Sequence, residues 1–265
     1  MCDAKDYFST SGLSNLQDTD AVFSTFSHYC SLAGPLRCRL HTGTRPSDIS
    51  ARLSTLLTSL RTQPIPAVPL PQSPTDFSRP ETITFSDVQS LIFTCLYNPV
   101  RAFPLLADAL ADLESGSTAS FLALAQNPSF SCSAKQQNTG AEADAAILCS
   151  DGGAAVKDSL AEFSNYLSAL RMQSEGFAGI WAKIRMGCVG WKMGSKGLVH
   201  HGPIGGETRR PVLFVGNTLD PVTPLQKSFP PSPAFFSPFL VAWELTWGVV
   251  GKKVHTRWPQ VSPDP

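Results

Sequence analysis

The segment Arg210-Pro-Val-Leu-Phe-Val-Gly-Asn-Thr-Leu-Asp220-Pro-Val-Thr-Pro224 decides how the chain reads. An apolar run from Val212 to Val215 stops at Gly216, and a short polar turn then presents Asp220. Four apolar residues bounded by turn formers predict a buried strand. Pro221 and Pro224 stiffen the exit, because each ring fixes its own backbone angle. A strand that delivers one carboxylate from a loop at its C-terminal end is one way a Ser-His-Asp triad receives its acid. The plainer reading is an Asp-Pro turn, for which Asp is well suited.

The rest of the composition sets limits on partners. The 265 residues carry 21 basic and 21 acidic side chains, so formal net charge is zero. No basic field exists to attract nucleic acid. No apolar run approaches the roughly 18 residues that would suggest a membrane span. The N-terminal residues Met1 to Asp6 lack an apolar core, so no signal peptide is expected. There are 22 prolines, which mark a loop-rich chain.

Apolar spacing predicts helices through the first half. Asp18-Thr19-Asp20 offers a cap, and Val22, Phe23, Phe26 and Cys30 recur at helical spacing until Gly34-Pro35. Ser47-Asp48 opens a second helix with Ile49, Leu53, Leu56, Leu57 and Leu60 on one face. Six prolines between Thr62 and Pro80 read as a linker that cannot hold regular structure. Ser86-Asp87 caps a third helix that ends at Asn98-Pro99. A fourth covers Phe103 to Leu113, and a fifth covers Ala119 to Ala125. Pro128 to Glu142 reads as a loop, Ala145 to Leu148 as a short apolar run, and Val156 to Met172 as a further helix. Ile180 to Met186 adds a short turn. From about Phe229 the pattern breaks into an aromatic, Pro-rich tail with no clean period.

Seven cysteines include no C-x-x-C pair, so zinc-ribbon and thiol-redox readings lack support and no metal site is expected. Cys30 and Cys38 flank a Gly-Pro turn and could form a local disulfide; Cys149 and Cys188 adjoin Gly-rich turns and could form a second. Cys95 lies on an apolar helix face and reads as a small core residue. This usage leans toward an oxidising compartment. His200-His201 lacks metal-ligand spacing and reads as a surface loop, and His28 and His41 read as structural or solvated. Trp181 and Trp191 are either core or the wall of a cleft. Asp151, Asp158 and Glu162 form either a patch for a peptide amino terminus or a solvated helix face.

The chain resembles the C-terminal half of fungal and bacterial tripeptidyl-aminopeptidase-like α/β-hydrolases. Pro211 to Pro224 carries the likeness, together with Gly179 to Trp191, Ala146 to Gly152, Asp6-Tyr7-Phe8, and Asn15 to Asp20. It covers roughly residues 3 to 228. The resemblance implies an α/β class: a partial α/β-hydrolase fold, with a mostly helical cap and a late core strand carrying the triad acid. Cap helices in that fold also shape the substrate pocket. It implies a cap-like region over 1–175 with the linker at 62–80, a TAP-like segment over 176–228, and a divergent, disordered tail over 229–265. The implied activity is serine-dependent removal of N-terminal residues or short peptides, with a peptide or small-molecule substrate and no cofactor. Family members are often secreted.

Only Asp220 carries over, as the triad acid. No G-x-S-x-G pentapeptide occurs; Gly12-Leu-Ser14 and Gly116-Ser117 lack the second glycine. The nucleophile and oxyanion-hole region is expected upstream of Met1. The histidine is expected a few tens of residues after Asp220, directly following a glycine. His255 is the sole histidine there, and it follows Val254. The expectation is a hydrolase fragment, inactive alone. The alternatives are a non-catalytic binding module built on the cap, or an incomplete gene model with a changed frame or retained intron near codons 220 to 240.

Overall fold

The computed structural model describes residues 12–67, 81–125, 140–151, 157–192, 213–224, 241–245 and 254–256. It divides into two compact units, Ala21–Gln137 and the combination of Met1–Asp20 with Asn138–Pro265. The described residues are mostly helical, with eight helices and two small sheets.

The first unit is built on helices α1 (Thr19–Ala33, whose first two residues precede this unit), α2 (Pro46–Thr62), α3 (Phe85–Cys95), α4 (Pro99–Glu114) and α5 (Ala119–Ala125). One face of α1 buries Val22, Phe26 and Cys30, at the four-residue interval that stacks side chains on a helix. Phe26 meets Phe103 of α4 edge to face at 5.3 Å, the geometry that aromatic quadrupoles favour. Leu106, Leu110 and Leu113 complete the buried face of α4. Gly34 ends α1 at φ 72°, where any other residue would be strained. The chain then reverses, and a disulfide joins Cys30 to Cys38.

Several boundaries differ from the sequence expectations for local reasons. Helix α2 opens on Pro46, and Asp48 caps it from inside by accepting the Thr44 and Arg45 N–H groups at 3.0 and 3.1 Å. The cap of α3 is Thr84, not Ser86: Asp87 accepts the Thr84 N–H at 2.8 Å and donates its own N–H to the Thr84 hydroxyl at 3.3 Å. Asn98-Pro99 does more than end a helix. The same proline starts α4, since its missing N–H costs nothing at a first turn. The expected linker also holds regular structure. Strand β1 (Ile65–Ala67) pairs antiparallel with β2 (Glu81–Ile83), burying Ala67 and Ile83; residues 68–80 lie outside the described residues.

In the second unit, α6 (Gly140–Asp151) replaces the expected loop end and short apolar run. Helices α7 (Leu160–Arg171) and α8 (Ala178–Gly187) pack together. Ser159 and Glu162 form a reciprocal cap on α7. A second disulfide, Cys149–Cys188, ties α6 to the end of α8, with Ala145 and Trp191 packed against it. Arg185 on α8 makes a two-point contact with Asp158 at 2.5 and 2.8 Å and lies 4.3 Å over the Tyr166 ring. Burial pushes the Tyr166 hydroxyl up to about 12, although the Arg185 cation pulls the other way.

The second sheet has the order β3-β4-β5. Strand β3 (Leu213–Asn217) runs parallel to β4 (Val241–Leu245), which pairs antiparallel with β5 (Val254–Thr256). Sequence pattern leaves β3 without partners because the tail shows no strand period. The structure supplies β4 from within that tail. Main-chain pairing does not require alternating side chains, so this ladder was not legible.

These ties have two measurable consequences. Closing a 39-residue separation restricts the unfolded chain by about 4 kcal/mol, against about 2.5 kcal/mol for a separation of 8. Replacing both Cys149 and Cys188 with alanine therefore lowers stability more than the same change at the Cys30/Cys38 pair, as read by urea melts. Asp158→Ala removes both acceptors of the part-buried Arg185 guanidinium and costs about 1–3 kcal/mol. An unchanged midpoint in either case contradicts the assignment.

Candidate functional site

Strand β3 runs through Phe214 and Val215 and ends at Asn217; Thr218 and Leu219 bend, and Asp220 comes next. The turn holds the carboxylate at three points. One oxygen, Oδ1, accepts the N–H groups of Val222 at 3.1 Å and Thr223 at 2.7 Å. The other, Oδ2, accepts from the Asn217 side-chain amide at 2.9 Å. Among the described residues Oδ2 accepts one such bond, and a carboxylate oxygen has capacity for a second donor.

Val222 is 3% exposed and anchors the loop. Its other support comes from the turn leading into α1 and the first residue of that helix. Thr19, with no exposed surface, donates its hydroxyl to the Pro221 carbonyl at 2.7 Å. The Asp18 carboxylate sits close enough to interact with Asp220. Burial raises the Asp18 carboxyl above its ordinary 3.8; a hydrogen bond from the Asp220 main chain lowers it in part, and the Asp220 charge raises it again.

That turn is fastened from α7 and α8. Gln173 donates to the Leu13 carbonyl at 2.6 Å, Trp181 donates its indole N–H to Gly12 O at 2.9 Å, and the Ser174 hydroxyl donates to Asp20 at 2.5 Å. Gly12 lies at φ 75°, and a Cβ there would sit 3.3 Å from the Trp181 nitrogen. Leu16 is fully buried beneath the turn.

The remaining candidates do not converge on Asp220. His255 pairs with Ala242, which pairs with Phe214. It therefore lies two strands from β3, about 10 Å across the sheet, in the row of Phe214 rather than at the strand end. Ser14 is buried in the turn and Ser117 sits between α4 and α5; neither comes after a strand. Trp181 is 8% exposed and packs in the core. Trp191 packs on the disulfide and donates to Ser150 at 3.3 Å. Of the acidic residues that read as either a patch or a solvated face, Asp158 is paired with Arg185 and Glu162 caps α7. His200 and His201 lie outside the described residues. Among the described residues, no group of three or more His, Cys, Asp or Glu could hold a metal ion, and no helix is long and apolar enough to cross a membrane. Burial pushes the Cys95 thiol up to about 11, which keeps it protonated.

Residues 174–229 match the family model for TAP-like protein. The matched segment holds α8, β3 and Asp220, and it points to an α/β-hydrolase family and so to a hydrolase. A search of curated proteins found no match.

In sequence, Asp18 and Thr19 read only as a helix cap. Their contact with residues two hundred positions later leaves no local signal. The Asp18 shift has a definite consequence. A carboxyl raised in the folded state contributes stability fully below the ordinary 3.8 and loses it as pH rises through the folded value. Asp18→Asn therefore raises the melting temperature at pH 7, and the gain disappears below about pH 3.8. Melts across pH 3 to 8 check this; a lower melting temperature at pH 7 contradicts it.

Proposed function

We propose that this chain carries the acid of a Ser-His-Asp triad, with Asp220 as that acid, in a TAP-like serine hydrolase that removes N-terminal residues or short peptides. One observation carries the reading. Within the TAP-like segment, a parallel strand ends at Asn217 and its loop presents Asp220, whose carboxylate is fixed by three hydrogen bonds. In a triad such a carboxylate accepts the imidazole Nδ1–H, selects the tautomer and stabilises the imidazolium, while serine attacks the carbonyl carbon.

This sequence contains no G-x-S-x-G elbow, and β5 holds His255 away from the strand end. The nucleophile and base therefore come from elsewhere, in a longer polypeptide or a second chain. The two disulfides favour an oxidising compartment. Peptide specificity is supported by the family resemblance rather than by any pocket residue.

The test mixes the 265-residue chain with the nucleophile-bearing half of a TAP-like serine peptidase. Tripeptidyl anilide turnover and fluorophosphonate labelling are read together. The chain alone gives neither. The mixture gives both, and Asp220→Asn lowers kcat about 10⁴-fold, as loss of a triad acid does. Turnover by the chain alone contradicts the proposal, as does a folded, associated mixture whose activity ignores Asp220→Asn.

A further inference from the structure

The three hydrogen bonds to the Asp220 carboxylate are all local. They fix the carboxylate relative to residues 217–223, and buried Val222 anchors the loop. Asp18 and Thr19 add a restraint from a distant part of the chain. Asp18 takes the main-chain N–H of Asp220, and Thr19 donates to the carbonyl of Pro221, 202 positions away in sequence. Neighbouring residues of one turn thus grip the main chain on both sides of the Asp220 α-carbon–carbonyl segment.

The grip is itself anchored. Gly12, Leu13 and Asp20 are each bonded to α8 or to the residues just before it, through Trp181, Gln173 and Ser174. An ordinary helix cap needs none of this. A Thr with no exposed surface that spends its hydroxyl on a distant carbonyl, beside a carboxylate spent on the next N–H, serves the acid loop.

We propose that Asp18 and Thr19 are positioning residues for Asp220. The proposal rests on reading Asp220 as the triad acid, for which orientation decides whether the imidazole nitrogen is met at hydrogen-bond distance. The neighbouring acid, Asp20, spends one oxygen on Ser174.

The test uses the full chain and reads amide hydrogen exchange at residues 220, 222 and 223. Asp18→Asn keeps an acceptor for the N–H. It leaves exchange at Asp220 within about twofold. Asp18→Ala removes the acceptor and speeds that exchange at least about tenfold. Thr19→Ser retains protection, and Thr19→Val loses it. Equal exchange in Asp18→Asn and Asp18→Ala overturns the proposal. So does protection that survives Thr19→Val. In the two-part mixture, Asp18→Ala and Thr19→Val lower kcat, and Asp18→Asn and Thr19→Ser restore it. If the positioning variants behave as stated while Asp220→Asn leaves turnover intact, the clamp stands and the triad reading fails.

Discussion

The hydrogen bond from Thr19 to the Pro221 carbonyl is the constraint on which the candidate site depends. A strand end, a turn and the buried Val222 give the carboxylate its local orientation. A buried hydroxyl bonded at 2.7 Å to the Pro221 carbonyl ties that loop to a residue 202 positions away. Breaking it would leave a buried carbonyl without a partner, which is costly in a low-dielectric interior. The same segment is held from elsewhere as well. Gly12 adopts a left-handed conformation, Trp181 donates its indole N–H to the Gly12 carbonyl, and Ser174 donates to Asp20.

Covalent and ionic ties hold the helices that carry this turn. The Cys149–Cys188 bond and the Arg185–Asp158 pair both act on α8, the helix from which Trp181 projects. In the other unit, Arg52 bonds Glu114 and the His41 carbonyl, and Arg39 bonds Asp112, so charged groups join α2 and α4 through the loop after the first disulfide. The Arg39 guanidinium holds the Asp112 carboxyl below its usual range, with the Ser120 hydroxyl adding to the effect. The two units thus use the same means, a disulfide beside an arginine pair.

Much of this was legible from local pattern. The strand before Asp220, the apolar faces of α1 through α3, the presence of α4 and α5, both disulfides and the buried state of Cys95 all agree with spacing and residue type. The failures share one physical cause, the absence of a local signal for a partner set elsewhere. Strands β1 and β2 are three residues long and flank a Pro-rich stretch, so no period-2 signal accumulates. The partner strand β4 is specified by main-chain groups that every sequence carries. Pro99 reads as a stop because a proline disfavours helix in the residue before it, while the same ring suits the first turn of the next helix. Asp158 and Glu162 resemble a free acidic face because nothing near them in sequence announces Arg185 or the reciprocal cap. Asp18 and Thr19 serve equally as a helix start and as a long-range clamp, and only the fold distinguishes the two.

For a triad acid the decisive property is geometric: the Asp220 carboxylate must be oriented to receive an imidazole N–H. A crystal structure of this chain bound to the nucleophile-bearing half measures it most directly, as the distance from Asp220 Oδ2 to Nδ1 of the incoming histidine. The expected result is a hydrogen bond of about 2.6–3.2 Å. A histidine resting out of hydrogen-bond reach, with Asp220 turned back into its own loop, would contradict it.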